Sequence, residues 1–153
     1  MGYRGHACIS LIIFLAVFFL GRALGMTWSL LVGTAPSIFL GGLFPDIDTA
    51  SRGRRLFTIL LLALLLWCLL TRAYITALAT FAVLLLPLLV RHRTIFHNLL
   101  FIGCFTALVA SIFFTMHLFY LRTILLMAAL FFVGCWGHLV ADFGFKGSLK
   151  MHR

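Results

Sequence analysis

Long apolar segments alternate with short stretches that hold the charged residues. Dividing the chain at its charges leaves six apolar segments: Ala7–Gly21, Ala23–Phe44, Leu56–Thr71, Ala73–Val90, Leu99–Leu121 and Thr123–Ala141. A membrane-spanning helix needs about 20 mostly apolar residues, within a range of about 17 to 25. The first and third segments are shorter, but snorkelling arginines at their ends or local thinning of the bilayer would let them span. The pattern predicts an all-α, polytopic transmembrane helix bundle of about six spans.

The second apolar segment contains features that disturb a regular helix. Pro36 predicts a kink, because proline removes a backbone hydrogen bond inside a helix. The pair Gly41-Gly42 could either end the helix or let another helix approach closely. This segment could therefore be broken or re-entrant instead of one straight span.

The composition supports a single membrane-embedded domain over residues 1–153. Of these residues 64% are hydrophobic and only 10% are charged, which is too little polar surface for a soluble domain of this length. The four cysteines include no C-x-x-C pair, so neither a disulfide framework nor a zinc framework is indicated. The first segment resembles a signal peptide, but Arg22 lies beside the small residues at 23–25, and apolar sequence continues beyond them, so we expect no cleavage.

The basic residues predict the orientation of the chain. The formal net charge is +9, from twelve Lys and Arg against three acids, and these basic residues lie in small groups between apolar segments. With six spans, nine of them fall on the side of the two termini and three on the other side. Because basic residues stay on the cytoplasmic side, we expect a multi-pass inner (plasma) membrane protein with both termini in the cytoplasm. Nucleic acid is not an expected partner; membrane lipids are.

Most residues capable of chemistry fall at that same predicted face. The chain has only three acids and six histidines. His138 and Asp142 are spaced i, i+4, so they share one face of a helix. The candidates at the cytoplasmic face are His6, Asp46, Asp48, His92, His97, His138 and Asp142. His117 and His152 lie outside this pattern.

Imidazole and carboxylate groups together suit a divalent transition metal such as zinc, manganese or iron. A metal would also stabilise carboxylates beside the membrane, where an unpaired charge is unfavourable. Each residue also has a structural explanation: Asp48 could cap a turn, Asp46 and Asp142 could pair with nearby arginines or Lys146, and a single histidine is more often a packing residue. The joint pattern favours the metal, because separate explanations would have to coincide at one face.

Four motifs in order resemble the YdjM-like family of inner-membrane proteins, which are classed as metal-dependent hydrolases. They are Gly5-His6, the segment from Leu43 to Asp48, the segment from His92 to Asn98, and the segment from Gly137 to Asp142. Their order and spacing hold across nearly the whole chain. This chain has Phe96 and Asn98 at positions where that family has Thr and Ser. If the Thr and Ser hydroxyls orient a ligand in the family, Thr94 or the Asn98 amide would have to do so in this chain.

The resemblance implies a membrane-bound hydrolase with one or two divalent ions, zinc or manganese, held by the seven candidates. We favour His97, His138, Asp142 and Asp46 as ligands. Asp48 or His92 is the candidate for the general base, or for a residue that orients the metal ligands. Arg93 could offset the charge that develops on the substrate. A site at the lipid–water boundary favours a lipid-like substrate such as a phospholipid or another lipid-linked phosphoester.

Two other functions stay open from the sequence. An ion or metal transporter would need polar residues through the depth of the bundle, whereas nearly all of them lie at one face. A non-enzymatic membrane scaffold or regulator explains the spans but not the three acids beside histidines.

Overall fold

The computed structural model describes residues 3–47, 52–89, 95–116 and 121–150. These residues form six α-helices: α1 (Tyr3–Ala23), α2 (Trp28–Leu43), α3 (Arg52–Leu70), α4 (Tyr74–Leu89), α5 (Leu99–Met116) and α6 (Leu121–Lys150). One 3-10 turn, Phe44–Asp46, follows α2 directly. The described residues contain no strand, and the prediction of an all-α helical bundle is confirmed.

Three helical stretches are long and apolar enough to cross a bilayer: Arg4–Ala23, Trp28–Asp46 and Leu121–Phe145. Shorter apolar stretches, Tyr74–Leu85 and Leu99–Ser111, lie in α4 and α5. Many large apolar side chains, Phe19, Leu70 and Leu78 among them, are exposed on the outside of the bundle. Such a surface suits lipid as the solvent, because lipid carries no penalty for exposed apolar groups.

Helices α2 and α6 cross with their backbones in contact. A Cβ on Gly134 would clash with the Ile38 carbonyl oxygen and lie 3.2 Å from Gly41 Cα, and a Cβ on Gly41 would clash with the Phe131 carbonyl oxygen. Glycine at both positions therefore allows the close approach that small residues provide in membrane bundles. Close approach, one of the two roles expected for the glycine pair, is observed. Helix α2 continues through Pro36 as one helix and ends at Leu43, directly after the pair.

Phe44 connects the end of α2 to three other parts of the bundle. Its buried ring packs against Phe57 of α3, Phe96 before α5, Phe105 of α5 and Phe131 of α6, with centroids 5.8, 5.6, 4.8 and 5.4 Å away. Aromatic pairs at these distances stabilise a core beyond the area that they bury. The cluster holds Pro45 and Asp46, the next residues along the chain, at a fixed point at one end of the bundle.

Near its end, α6 changes direction at Gly144. This glycine has φ 71° and ψ 168°, a conformation that residues with a Cβ rarely adopt, although helical turns precede and follow it. The long apolar part of α6 therefore ends just after Asp142, which places this carboxylate at the end of the bundle.

The glycine contact predicts a specific sensitivity to small substitutions. We expect Gly134→Ala to destabilise the protein by about 1–3 kcal/mol, because the added methyl group would force α2 and α6 apart. Gly103→Ala is the matched control, since its Cβ would meet only the Phe132 ring at an ordinary 3.7 Å. Thermal unfolding in detergent measures both, and equal melting temperatures would contradict the crossing.

Candidate metal centre

Five predicted residues from four segments meet at one end of the bundle. They are His6 near the start of α1, Asp46 in the 3-10 turn, His97 just before α5, and His138 and Asp142 near the end of α6. All three imidazoles are buried, with relative exposures of 2%, 4% and 1% for His6, His97 and His138. The carboxylates lie further out, because the side chains of Asp46 and Asp142 are 25% and 19% exposed.

The centre is organised around the imidazole of His138. Its Nδ1 lies 2.7 Å from the Gly42 carbonyl oxygen. A carbonyl can only accept a hydrogen bond, so Nδ1 carries the proton and donates it. In the neutral ring Nε2 is then left with its lone pair, the form in which histidine binds metals. Among the described residues, this buried Nε2 has no hydrogen-bond partner.

Both carboxylates face the Nε2 of His138. The distance is 3.4 Å to Asp142 Oδ2 and 3.6 Å to Asp46 Oδ1. The other oxygen of Asp142, Oδ1, lies 3.4 Å from Nε2 of His6. Asp142 therefore bridges the two histidines through its two oxygens, as its i, i+4 spacing from His138 allows.

His6 lies flat against His138. Their ring centroids are 3.7 Å apart, and the planes are inclined by only 10°. α1 also packs on α6 at Gly137, where a Cβ would meet the flexible end of the Ile13 side chain. Two stacked imidazoles that both carried a positive charge would repel each other, so the packing disfavours positive charge on both rings at once. Neutral imidazole is the form that binds metals.

His97 completes the group and lies next to His138. Its ring is edge-on to His138 with centroids 5.8 Å apart, and edge-on to Phe143 at 5.9 Å. Asn98 fixes this segment, because its Oδ1 accepts hydrogen bonds from the backbone N–H groups of Leu100 and Phe101 at 2.9 and 3.3 Å.

The two departures from the family motif have structural explanations. Asn98 acts as the N-cap of α5, a role that Asn and Ser both fill well, so its side-chain oxygen binds backbone instead of a ligand. Phe96 is fully buried in the aromatic cluster, against Phe44 and Phe101. It therefore contributes packing where a hydroxyl would contribute hydrogen bonds.

The donor set fits a divalent cation. Ligand atoms of His6, His138 and Asp142, and likewise of Asp46, His97 and His138, lie within 4.8 Å of one another. The N···O separations of 3.4 and 3.6 Å around His138 exceed an ordinary hydrogen bond. They match the spacing of about 3.3–3.4 Å between two ligands of one tetrahedral zinc ion with bonds of about 2.0–2.1 Å.

The two triads share His138, and this limits how they can be used. Since Nδ1 is engaged with Gly42, His138 offers a single lone pair at Nε2. One cation can bind this lone pair, so the triads describe alternative ligand sets around one position. A second ion would have to bind through the other residues without His138.

Three of the predicted residues fall in parts of the chain that the structure does not describe. Asp48, His92 and Arg93 lie outside the described residues, so their roles as ligand, base or charge partner stay predictions. The four favoured ligands, His97, His138, Asp142 and Asp46, are all brought together, and His6 joins them.

The sequence did not point to the Gly42 carbonyl. Carbonyls in the last turn of a helix lack partners within that helix, so this one is available to His138. Backbone acceptors leave no signature in residue type. The only signal was the glycine pair itself, which indicated close approach to another helix.

The comparison with protein families gives one match. The model of the family described as YdjM inner membrane protein matches residues 1–150, which is nearly the whole chain and includes all five clustered residues. Neither the curated proteins nor the solved structures gave a match.

Because His138 belongs to both triads, it is the candidate ligand whose loss should matter most. We expect His138→Ala to remove the bound zinc or manganese from protein purified in detergent, because both triads lose their common donor. Elemental analysis measures this, and His152→Ala, outside the predicted site, should keep the metal content of the parent. Equal metal content in His138→Ala and the parent would refute the centre.

Proposed function

Because the chain belongs to the YdjM inner membrane protein family, we propose that it is a membrane-bound metal-dependent hydrolase that acts on lipid-linked phosphoesters. The observation that carries the proposal is the Nε2 of His138, a buried lone pair directed at two carboxylates. A lone pair facing negative oxygens is repulsive unless a proton or a cation lies between them. The hydrogen bond to Gly42 already uses the proton on Nδ1, so a proton at Nε2 would be a second one that charges the ring. The stacking on His6 disfavours charge on both rings, and this supports the cation.

The proposed ligands are His6, Asp46, His97, His138 and Asp142. A divalent cation there would lower the pKa of a coordinated water toward neutrality and polarise a phosphoryl oxygen. The buried imidazoles hold the inner side of the site, and the carboxylates form its partly exposed outer side. A substrate would therefore approach past Asp46 and Asp142 from the end of the bundle.

Proton transfer and charge compensation fall to residues around this centre. A carboxylate oxygen of Asp48 or the imidazole of His92 is proposed to accept the proton of the attacking water. The guanidinium of Arg93 is proposed to stabilise charge that develops on the phosphoryl oxygens. These three residues flank Asp46 and His97 in the sequence, which supports placing them near the centre.

The position of the centre supports an amphiphilic substrate. His138 and Asp142 lie within the apolar stretch Leu121–Phe145, close to its end, and His6 lies near the start of Arg4–Ala23. This depth corresponds to the boundary between acyl chains and headgroups. The phosphoester of a membrane lipid would reach such a site without leaving the bilayer.

Asp142→Asn provides a test of catalysis that preserves side-chain shape. Since loss of an outer-shell partner alone typically lowers the activity of a metal site by about 10–100-fold, we expect loss of this ligand to lower phosphodiesterase activity by at least about 100-fold. The assay uses phospholipid in mixed micelles, with chelator to remove activity and zinc or manganese to restore it. His152→Ala serves as the control.

The same measurements can contradict the proposal. Full activity in Asp142→Asn would exclude the carboxylate from the reaction. A protein that binds no metal and keeps its cellular role with Ala at Asp46 and Asp142 would instead be a membrane scaffold or regulator.

A further inference from the structure

A large apolar cavity lies between two pairs of helices. Helix α3 packs along α4, and α5 packs along α6. The space between the pairs has a volume of about 750 Å³, within the range of about 300–1,000 Å³ that is typical of ligand sites. Its walls are almost entirely apolar and include Leu61, Val83, Val109 and Ala128.

The cavity runs along the helices over the depth of about one lipid leaflet. On α6 its lining extends from Thr123 to Phe131, and on α5 from Phe101 to Ala110. At 1.5 Å per residue, these spans correspond to about 12–14 Å. Half of a hydrocarbon core of about 30 Å is about 15 Å, so the cavity matches the length that an acyl chain occupies in one leaflet.

Two of the threonine hydroxyls in the walls are engaged by backbone. Thr80 Oγ1 donates to the Thr76 carbonyl at 2.8 Å, and Thr106 Oγ1 donates to the Ile102 carbonyl at 2.7 Å. These two hydroxyls are therefore satisfied within their own helices and offer no free donor to a polar ligand. The lining favours a hydrocarbon occupant.

The rim of the cavity faces the surroundings of the bundle. Leu64 and Leu108, both in the lining, are 38% and 60% exposed. They lie on helices whose outer faces carry further exposed leucines such as Leu60 and Leu100. In a bilayer, the molecules next to such a rim are the acyl chains of lipids.

The inner end of the cavity shares a wall with the candidate metal centre. Three lining residues, Phe57, Phe105 and Phe131, pack against Phe44, which is two residues before Asp46. His97 is connected to the cavity in a similar way. The ring of the preceding residue, Phe96, packs against that of the lining residue Phe101, with ring centroids 5.6 Å apart. Two ligands of the centre are thus held by rings whose other neighbours line the cavity.

We propose that this cavity binds one acyl chain of a membrane glycerophospholipid, whose phosphate headgroup then lies at the metal centre. The assignment of that lipid as substrate rests on the proposed function, whereas binding of the chain rests on the cavity alone. The aromatic cluster around Phe44 lies beside both the cavity and the centre, and so relates the position of the acyl chain to that of the phosphate.

A photoreactive lipid tests the cavity directly. The full chain is placed in nanodiscs with phosphatidylethanolamine that carries a diazirine on one acyl chain, irradiated, and mapped by mass spectrometry. We expect label on α5 and α6 residues of the cavity, Cys104 among them. We expect Ala128→Phe to reduce the labelling of the cavity on the order of ten-fold. The added ring would displace about two methylenes of the acyl chain from the cavity, which removes about that much affinity.

Ala129→Phe is the matched control, because Ala129 is exposed on the same helix and does not line the cavity. Ala110→Phe fills the cavity from α5 and repeats the test if Ala128→Phe does not fold. Label as strong on α1, which contributes no residue to the lining, as on the cavity residues, or equal labelling in Ala128→Phe and Ala129→Phe, would overturn the proposal. If an added oxidant joins two chains by a disulfide at Cys104 while the lipid leaves no label there, the proposal is overturned in favour of a second copy.

The two proposals fail in distinguishable ways. His138→Ala should lose metal and keep the cavity label, because the cavity does not depend on the metal ligands. Cavity label on a parent protein that binds no metal would overturn the proposed hydrolase and support the lipid site. Bound metal without cavity label would overturn the lipid site alone.

Discussion

The backbones of α2 and α6 are in contact at Gly41 and Gly134, and the geometry of the candidate metal centre follows from that contact. One residue beyond Gly41, the Gly42 carbonyl accepts the proton of His138 Nδ1 at 2.7 Å. A side chain at the crossing would separate the helices and break this bond. The imidazole would then lose both its fixed orientation and the tautomer that leaves Nε2 available. A packing constraint inside the bundle thus determines the chemistry at its end.

The polar centre places strong electrostatic demands on an otherwise apolar bundle. Three buried imidazoles and two partly exposed carboxylates lie within a few ångströms, and burying such groups is favourable only if their charges and lone pairs are compensated. Protonated histidines would compensate the carboxylates, but the stacking of His6 on His138 at 3.7 Å sets two positive charges face to face. A divalent cation would compensate both carboxylates while leaving the rings neutral, which is the reason for proposing a metal at this centre.

Aromatic packing connects this centre to the rest of the membrane domain. Phe44 and Phe96 each lie within two residues of a proposed ligand, and their rings contact residues of α3, α5 and α6. The cluster therefore holds Asp46 and His97 in place although neither belongs to a long helix. It also forms the boundary between the polar end of the bundle and the apolar cavity, so that a single lipid could be in contact with both.

The sequence by itself determined the class of fold and the residues of the centre. Apolar segments between charges predict membrane helices, because a helix satisfies its own backbone hydrogen bonds and its apolar side chains are compatible with lipid. His138 and Asp142 share a face because their spacing along one helix is enough to determine it. Only the tertiary structure decided which atoms meet. The hydrogen bond from His138 to Gly42 and the stacking of His6 on His138 depend on the register between helices. That register is set by backbone contacts at glycines and by interlocking rings, and residue type at one position does not encode the distance to a residue on another helix.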